Sequence, residues 1–376
     1  MPSDLTDRDA PPLRYAIVGI GAQVMKAHRA GIERADVELV GGTDVSVAAG
    51  KAGAEAFGCP FFEDAATMQE AVAPDVIVVA TPHPSHAAIA MAALDGGAHV
   101  LVEKPIAMHV GDADAMIDAA GKADRLLGVC YQNRFRPVVE AATQLIFDGA
   151  IGRIQHVTLR AVYPRTASYF RSADWRGTWA GEGGGVIMNQ APHSLDLLVA
   201  FLGPAQTVTA WTRTQLEPIQ TEDTVDAMIG WEDGAVASVH MSVAEAGQPE
   251  RLELTGTKGQ LTLTPDGLSQ TAFDDVEQVV AHDPTPMPVI ASTPVPLEID
   301  PAKGTHEHVY GDMNAAIRTG GAPAVDGRTG LGSLELANAV ILSGHRREEV
   351  RLPLDRDAYR TTLDELIGRA TERSRT

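Results

Sequence analysis

Residues 99–105 read His-Val-Leu-Val-Glu-Lys-Pro, a short apolar run that ends at a glutamate and a lysine. A run of this length and composition predicts a buried strand of a parallel sheet. In open α/β sheets, ligands bind beyond the carboxyl ends of the strands. A lysine at that place can donate hydrogen bonds to a substrate oxygen and pass a proton. Because lysine is scarce in this chain relative to arginine, Lys104 is the first candidate for a catalytic residue.

Similar apolar runs alternate with helical stretches from residue 13 to about residue 132. Short buried strands separated by helices predict βαβ units and a parallel sheet that is covered on both faces. The predicted strands are 15–18, 37–40 continuing to near Asp44, 76–80, 100–102 and 127–131, with helices at 85–94 and 112–123.

After residue 133 the pattern changes to period-two alternation, which predicts an antiparallel sheet with one face packed on helices. Asp233-Gly234 and Lys258-Gly259 are typical of hairpin turns. Residues 282–304 contain six prolines and predict a long ordered loop that acts as a clamp or lid. The predicted strands are 154–163, 207–214, 224–231, 235–243, 251–256 and 260–264, and the predicted helices are 138–148, 310–319, 333–343 and 358–371.

The composition excludes several classes of partner. The formal net charge is −20, whereas nucleic acids and anionic membranes bind basic surfaces. The two cysteines, Cys59 and Cys130, are far apart and form neither a disulfide framework nor a zinc motif. Residues 1–12 form a polar tail that we expect to be disordered, without the features of a secretory signal, and no apolar stretch is long enough for a membrane helix. We therefore expect a cytoplasmic protein.

Gly19-Ile20-Gly21 follows the first predicted strand and opens a helix. Glycines there let the backbone approach a pyrophosphate at a helix N-terminus. Val24 stands in place of the third glycine of the usual motif, but Asp44, at the end of the second strand, is placed to accept hydrogen bonds from ribose hydroxyls and to repel a 2′-phosphate. The pattern favours NAD over NADP; the alternative is a tight turn that binds no ligand. The expected cofactor contacts are Gly19, Gly21, Ala22, Gln23, Val24, Asp44, Thr81, Pro82, His83, His86, Glu103 and Lys104, although a histidine in the position of His86 more often caps or packs.

A second candidate segment, Asn189-Gln190-Ala191-Pro192-His193, follows the glycine-rich stretch 181–185. Pro192 leaves two possibilities: a helix that begins near Ala191 with Asn189 as its cap, or a kinked helix that places Asn189, His193 and Asp196 on one face. Oxidation of a secondary alcohol needs a base for the hydroxyl proton, and histidine titrates near neutral pH. His193 is therefore the candidate base, with Lys104 stabilising the developing alkoxide. The alternative is that His193 is a packed core residue.

Together these residues resemble the GFO/IDH/MocA (glucose–fructose oxidoreductase / inositol dehydrogenase) family of NAD(P)-dependent sugar and cyclitol dehydrogenases, from Leu13 to about Leu354. The resemblance implies an N-terminal NAD-binding Rossmann domain (α/β) over residues 13–132. It also implies a C-terminal α+β substrate-binding domain over residues 133–376, built on a mostly antiparallel open sheet and used for dimer or tetramer assembly. Catalytic roles for Lys104 and His193 are implied as well. The residues that carry it are Gly19/Gly21, Ala80-Thr81-Pro82 with His86, Glu103-Lys104-Pro105, Asn133-Arg134-Phe135, Trp175-Arg176, Asn189-x-x-x-His193-x-x-Asp196, Pro323-x-x-Asp326-Gly327 and Val350-x-Leu352-Pro353.

Asn189 departs from the family pattern, since many members carry Asp there. An aspartate would orient the histidine and raise its pKa, whereas an asparagine orients it or binds substrate hydroxyls. The change suggests the Asn-bearing subset, some of whose members act on sugar derivatives or glycosides. The expected function is NAD-dependent oxidation of a secondary hydroxyl on a sugar, cyclitol or glycoside. The alternatives are a non-redox glycoside-cleaving enzyme with tightly bound NAD, and a regulator that senses NAD or a sugar.

Aromatic faces suit sugar rings, and arginine suits hydroxyls or a carboxylate. Trp175 is equally plausible as a core residue. The pair His306-x-His308 is a poor metal-site candidate because no carboxylate–histidine set lies near it in sequence, so no metal is expected. The expected substrate contacts are Asn133, Arg134, Tyr163, Arg165, Tyr169, Trp175, Arg176, Asn189 and His306.

Overall fold

A computed structural model describes residues 10–215, 219–247, 249–300, 302 and 304–373. Most of the predicted disordered tail, residues 1–9, lies outside the described residues, as do two positions of the proline-rich segment. By their internal contacts the described residues form two compact units. Unit 1 comprises residues of 1–132 and 304–334, and unit 2 comprises residues of 133–303 and 335–376.

The strands and helices are numbered in chain order. The strands are β1 Leu13–Val18, β2 Val37–Thr43, β3 Phe61–Phe62, β4 Val76–Val79, β5 His99–Val102, β6 Leu127–Val129, β7 Ile154–Val162, β8 Thr207–Arg213, β9 Thr224–Gly230, β10 Val236–Ser242, β11 Arg251–Gly256, β12 Gly259–Thr264, β13 Gly267–Phe273, β14 Ser292–Val295 and β15 Val350–Arg351. The α-helices are α1 Met25–Ile32, α2 Val47–Phe57, α3 Ala65–Val72, α4 His86–Asp95, α5 Val110–Ala123, α6 Pro137–Phe147, α7 Ala167–Phe170, α8 Trp179–Glu182, α9 Val186–Asn189, α10 Pro192–Leu202, α11 Val276–His282, α12 His306–Thr319, α13 Gly327–Arg346 and α14 Arg356–Arg373.

The sheet of unit 1 has six parallel strands in the order β3-β2-β1-β4-β5-β6. This is the strand order of the doubly wound dinucleotide-binding fold, so the predicted α/β class is confirmed. Every residue of β4 is buried, as its uninterrupted Val-Ile-Val-Val sequence requires. The serine that precedes α2 and the aspartate that precedes α3 cap those helices by accepting a backbone N–H.

Residues 304–334 group with unit 1, although the sequence analysis placed them in the second domain. Helix α12 packs closely on α1, because a Cβ added to Gly31 would lie 2.5 Å from the ring of Tyr310. Tyr15 in β1 donates a hydrogen bond to the Asn314 side chain over 2.6 Å and stacks on Tyr310 with ring centroids 5.1 Å apart. These contacts join positions about 300 residues apart in the chain, which no local pattern indicates.

The sheet of unit 2 has nine strands in the order β14-β13-β12-β11-β7-β10-β9-β8-β15. All neighbours are antiparallel except β7 and β10, which run parallel. The prediction of a mostly antiparallel open sheet is therefore confirmed. Buried and more exposed residues alternate along β9 and β10, as expected for a sheet with one face in the core.

One prediction for unit 2 needs correction. The proline-rich segment is not loop throughout, because β14 lies within it and pairs with β13, and neither strand was predicted. Pro294 lies opposite Thr271 in that pair. A proline is tolerated there because β14 is the edge strand of the sheet, where its missing N–H removes no interior hydrogen bond. Within the described part of the chain, no helix combines the length and the apolar character needed to cross a bilayer.

Candidate functional site

The turn after β1 is shaped by two glycines. Gly19 has φ +95°, and a Cβ there would lie 2.6 Å from the carbonyl oxygen of Ala80, so only glycine fits. A Cβ on Gly21 would lie 2.7 Å from the Cβ of Ala49 in α2. The backbone from residue 19 to residue 24 therefore has no side chain at its two tightest points, and α1 begins only at Met25.

Asp44 lies directly after β2 and holds this turn. Its Oδ2 accepts a hydrogen bond from the backbone N–H of Gly21 over 3.0 Å, and its Oδ1 accepts one from Ser46 over 2.9 Å. A carboxylate has about four acceptor positions, so further donors can still bind. The cleft beside Asp44 is lined by Val18, Gly19, Ala22, Thr43, Asp44, Val45, Glu63, Asp64, Ala65, Ala80, Thr81, Pro82, Ser85 and Ile89.

This cleft fits a dinucleotide on two observations. The bare backbone at Gly19 and Gly21 leaves room for a close approach of phosphate oxygens, which the positive end of the α1 helix dipole attracts. The half-buried Asp44 lies on the same cleft, at the end of the neighbouring strand. The expected contacts at Gly19, Ala22, Asp44, Thr81 and Pro82 are thus brought together.

His86 was expected among the cofactor contacts, but the structure gives it another environment. It is fully buried, with Nδ1 3.0 Å from the carbonyl oxygen of Pro105 and Nε2 2.7 Å from that of Thr81. Burial lowers the pKa of His86, and the hydrogen bonds to the two carbonyl oxygens oppose that shift. The imidazole therefore ties the turn after β4 to the segment after β5, and it does not line the cleft. His83 is also buried, with its ring centroid 5.8 Å from that of His86.

Glu103 and His306 likewise differ from expectation. Glu103 is only 6% exposed, and its Oε1 lies 3.0 Å from Nε2 of His28 and 2.8 Å from Nε2 of His306. Its Oε2 accepts the backbone N–H of Lys104 over 3.1 Å. Burial alone would raise the pKa of Glu103, but the hydrogen bonds from the two histidines reverse this and hold the pKa well below its usual range. Glu103 does not line the cleft, and the buried His306 contacts Glu103 within unit 1.

Lys104 is half-buried in unit 1, immediately after β5 as predicted. The hydrogen bond from the backbone N–H of Lys104 to the Glu103 carboxylate fixes the position of the main chain at residue 104. His193 is half-buried in unit 2, in the first turn of α10.

The helix that carries His193 begins at Pro192, which occupies a first-turn position where the lack of an N–H costs nothing. Of the two possibilities left by the sequence, the helix start near Ala191 is the observed one. Asn189 is not the cap, because it ends the separate short helix α9. Its side-chain amide donates instead to Oε1 of Glu182.

Two buried carboxylates in this region were missed by the sequence analysis. Glu182, 1% exposed, accepts the backbone N–H of Gly177 through Oε2 over 2.5 Å and holds Asn189 through Oε1. Glu222, 3% exposed, accepts from Gly185 over 2.7 Å and from Ile187 over 3.2 Å. Only the glycine-rich stretch hinted at them, because a side chain at Gly185 would collide with the backbone of Glu222.

Burial raises the pKa of Glu222 to about 7, so this carboxyl keeps a proton that the unfolded chain, at 4.5, releases. The free energy of unfolding should therefore fall as pH rises from about 4.5 to about 7. In the parent protein we expect this fall in the free energy of unfolding to be about 3 kcal/mol. In Glu222→Gln the fall should disappear, because the amide oxygen still accepts the two N–H groups and carries no charge at any pH. Urea unfolding at pH 5 and pH 8 measures the effect, with Glu232→Gln on the surface as the control. Parallel pH profiles of parent and Glu222→Gln would contradict it.

Arg134, predicted to contact substrate, forms a buried ion pair within unit 2. Its Nε and Nη2 each lie 2.7 Å from one oxygen of the fully buried Asp196. Burial raises the pKa of Asp196, and the hydrogen bonds from Arg134 oppose that shift. Because two guanidinium nitrogens of Arg134 bond to Asp196, Arg134 stabilises the fold and is not assigned to substrate.

Four of the other predicted substrate residues form one partly exposed patch in unit 2. The guanidinium of Arg176 lies 4.3 Å from the ring centre of Tyr169 and 4.5 Å from that of Trp175, and it donates to the Tyr169 hydroxyl over 2.6 Å. The guanidinium of Arg165 lies 5.3 Å from the Tyr169 ring centre. Gln190, next to Asn189, also donates to that hydroxyl over 3.1 Å. We call Arg165, Tyr169, Trp175 and Arg176 the aromatic–arginine patch.

Tyr163 is separate from this patch. Its hydroxyl lies 3.0 Å from Oγ of Ser194, which in turn donates to Glu250 over 2.5 Å. Burial raises the pKa of the Tyr163 phenol above its usual range. Asn133 is half-buried at the start of unit 2.

Comparison with known proteins agrees with this architecture. D-apiose dehydrogenase of Paraburkholderia graminis is 27% identical over 313 residues, 80% of each chain. D-glucoside 3-dehydrogenase of Escherichia coli is 32% identical over 197 residues, 51% of this chain and 54% of the relative. The structure of the WlbA dehydrogenase of Bordetella pertussis, in complex with NADH and UDP-GlcNAcA, superimposes with a TM-score of 0.80 at 28% identity, covering 92% of this chain and 99% of that one.

Family assignments cover both halves of the chain. Residues 13–131 match the oxidoreductase family with an NAD-binding Rossmann fold. Residues 139–262 match the GFO/IDH/MocA C-terminal domain. The glycine turn with Asp44, the strand order of unit 1 and these two matches lead to one conclusion: the chain belongs to the GFO/IDH/MocA family of NAD-binding oxidoreductases.

Proposed function

We propose that this protein is an NAD-dependent dehydrogenase that oxidises a secondary hydroxyl of a sugar, cyclitol or glycoside. The observation that carries the proposal is the cleft of unit 1, where the glycine turn and Asp44 lie together as a dinucleotide requires. The names of the relatives support the substrate class, since they act on D-apiose and on D-glucosides.

Bound NAD would supply the hydride acceptor. In our proposal, His193 takes the proton of the reacting hydroxyl, because imidazole is basic enough near neutral pH. The ammonium of Lys104 donates a hydrogen bond to the reacting oxygen and stabilises its growing negative charge. Both are polar side chains at the start or end of regular elements, which hold them in defined positions.

Asn189 is proposed to bind a neighbouring hydroxyl of the substrate. Since Glu182 accepts one of the amide hydrogens of Asn189, it fixes which end of the amide is the donor and leaves the carbonyl oxygen oriented. The aromatic–arginine patch supports a carbohydrate substrate, because aromatic faces pack on sugar rings and guanidinium groups bind hydroxyls. Asn133 and Tyr163 stay substrate-contact proposals, whereas Arg134 and His306 do not.

The test of this function is a substrate panel. Purified protein is incubated with NAD, and separately with NADP, and with free sugars, inositols, glycosides or nucleotide sugars, while the absorbance of the reduced nicotinamide is followed. We expect reduction of NAD with one of these substrate classes. Binding of NAD without reduction by any of them would overturn the proposal. Cleavage of a glycoside without release of NADH would then identify the non-redox alternative.

Cofactor preference gives a separate prediction for Asp44. We expect Asp44→Ala to weaken NAD binding by about 10- to 100-fold, the value of one or two hydrogen bonds to a charged group. Binding of NADP should weaken less, because the carboxylate that repels its 2′-phosphate is gone. Titration of both cofactors by fluorescence measures the ratio of dissociation constants.

Asp44→Asn is the matched control, because the amide oxygen still accepts the N–H of Gly21 or Ser46 but carries no charge. It should also improve NADP relative to NAD, with less loss of NAD binding than Asp44→Ala. An unchanged NAD-to-NADP ratio in both variants would refute the proposed role of Asp44.

We also propose that the protein is cytoplasmic and assembles as a homodimer or homotetramer through the sheet of unit 2. Trp211 and Met228 lie on one face of that sheet, because Met228 pairs with Thr209, two residues from Trp211. They are 55% and 44% exposed, unusual values for such large apolar side chains. Light scattering after size exclusion should show an oligomer, which Trp211→Glu should shift to smaller species.

A further inference from the structure

Four buried side chains with metal-ligating atoms meet in unit 1. They are His28, Glu103, Cys130 and His306, which we call the His–Glu–Cys cluster. None is more than 6% exposed, and one ligand atom from each lies within 4.8 Å of all the others. Polar groups that are buried away from water need hydrogen-bond, ionic or metal partners. A thiol, a carboxylate and two imidazoles in one buried cluster therefore call for an explanation.

The four residues come from four different elements. His28 lies in α1, Glu103 follows β5, Cys130 follows β6 and His306 is the first residue of α12. The backbone N–H of Glu103 is bonded to Val79 and that of Cys130 to Val102, so neighbouring strands of one sheet fix both residues. The side chains are thus held in helices or directly at the ends of hydrogen-bonded strands, as a preorganised site requires.

We propose that the His–Glu–Cys cluster is a closed, four-coordinate site for Zn²⁺. The donor set is two imidazole nitrogens, one carboxylate oxygen and one thiolate sulfur, which zinc accepts in tetrahedral geometry. Soft thiolate and imidazole donors disfavour Mg²⁺ and Ca²⁺.

Charge balance supports a divalent ion. Glu103 and a deprotonated Cys130 together carry two negative charges, which Zn²⁺ cancels while the two histidines bind as neutral rings. A neutral complex is the form that a fully buried site can hold without a large desolvation cost. When Zn²⁺ binds, the thiol proton leaves to solvent, and each ring stays neutral by carrying its single proton on Nδ1, so that the Nε2 lone pair holds the metal.

The contacts around the cluster are those of a supporting shell. Nδ1 of His28 lies 3.1 Å from the hydroxyl of the fully buried Tyr310, so the ring donates there once Nε2 holds the metal. The second oxygen of Glu103 accepts the N–H of Lys104. Metal-ligating histidines and carboxylates are commonly oriented by such partners.

Two of the distances between ligand atoms require only a small adjustment. The Glu103 oxygen lies 3.0 Å and 2.8 Å from the two ring nitrogens. Bonds of about 2.0–2.1 Å to a tetrahedral zinc place neighbouring ligand atoms about 3.3 Å apart. For these two oxygen–nitrogen pairs, an opening of a few tenths of an ångström by side-chain rotation is sufficient.

The site lies outside the proposed reaction but next to it, because Glu103 directly precedes Lys104. The sequence analysis expected no metal, having considered only the pair His306-x-His308. The structure separates that pair: Nδ1 of His308 lies 3.0 Å from the Thr305 hydroxyl at the start of α12, while His306 joins residues from far along the chain.

The first measurement is the metal content of the full-length protein, after expression with zinc and dialysis against a weak chelator. We expect about one zinc per chain. The metal-free protein is then titrated with Co²⁺, which should produce the thiolate-to-cobalt charge-transfer band and the strong visible bands of a tetrahedral site. Zinc should also raise the midpoint of thermal unfolding. None of these readouts needs a substrate or NAD, so failure of the proposed dehydrogenase function would leave them unaffected.

Cys130→Ala and Cys59→Ala form a matched pair, since Cys59 is the half-buried cysteine outside the cluster. We expect Cys130→Ala to lose the charge-transfer band and at least about 100-fold in zinc affinity, because a direct ligand matters at least as much as its supporting contacts. Cys59→Ala should keep both. A folded parent protein that retains no zinc and shows no charge-transfer band with cobalt would overturn the proposal and leave a hydrogen-bonded cluster. A band of equal strength in Cys130→Ala would overturn it too.

Discussion

Replacement of Lys104 by alanine should lower turnover by about 10²–10⁴-fold, the usual contribution of a positioned proton donor or acceptor. The variant loses the ammonium that we propose to bind the reacting oxygen. Its backbone should stay in place, because the N–H of residue 104 bonds to Glu103 in either case. The residues of the cleft around Asp44 are also unchanged, so NAD binding should be largely retained. Steady-state kinetics on the substrate found by the panel, with NAD titration by fluorescence, measures both effects.

Lys122→Ala is the matched control, because Lys122 is exposed in the last turn of α5 in the same unit. It should have the kinetics of the parent. Turnover of Lys104→Ala comparable with that of the parent would contradict the assignment. Loss of NAD binding in the same variant would instead make Lys104 a cofactor contact.

A second large effect should follow from breaking the Arg134–Asp196 pair. Arg134→Met leaves the fully buried Asp196 without its partner, and loss of one member of a buried pair costs about 3–5 kcal/mol. The cost should be greatest near neutral pH. It should shrink as pH falls through the raised pKa of Asp196, because the folded protein then takes up the proton first. Urea unfolding followed by circular dichroism at several pH values measures this.

The double variant Arg134→Met/Asp196→Leu should recover much of the lost stability, because it removes both charges together. Arg171→Met, an exposed arginine of the same unit, should change stability little. If Arg134 were a substrate contact, as its sequence position suggested, Arg134→Met would raise KM and leave the unfolding curve unchanged. That result would overturn the structural role.

Much of unit 1 was predictable because its signals are local. The Val-Ile-Val-Val strand, the Gly19 turn and Asp44 each belong to one short segment, and the parallel sheet places the ends of its strands at one edge. The strands of unit 2 were also predicted from period-two alternation, with three exceptions, β13, β14 and β15. The missed strand β14 contains one proline, Pro294, which lowers its strand propensity, and it lies at the edge of the sheet, where a proline is tolerated.

The candidate site was predicted less completely. The sequence identified Lys104, Asn189 and His193 because they lie in short motifs beside helix or strand ends. It did not indicate that His86 is tied to two backbone carbonyls, or that Glu182 holds Asn189. These contacts depend on which segments of the chain pack together in the fold. The type of a single residue in the sequence does not indicate its packing partners.

The amino-acid sequence by itself determined the alternating strands and helices of unit 1, the glycine turn and the position of Lys104 after a buried strand. These features follow from hydrophobic periodicity and from the conformational freedom of glycine, both of which act over a few residues. The tertiary structure alone decided the partners of the buried charges. Glu103 meets His306 from about 200 residues further along the chain, and Arg134 meets Asp196, because a buried charge must find its partner wherever the fold brings one within reach.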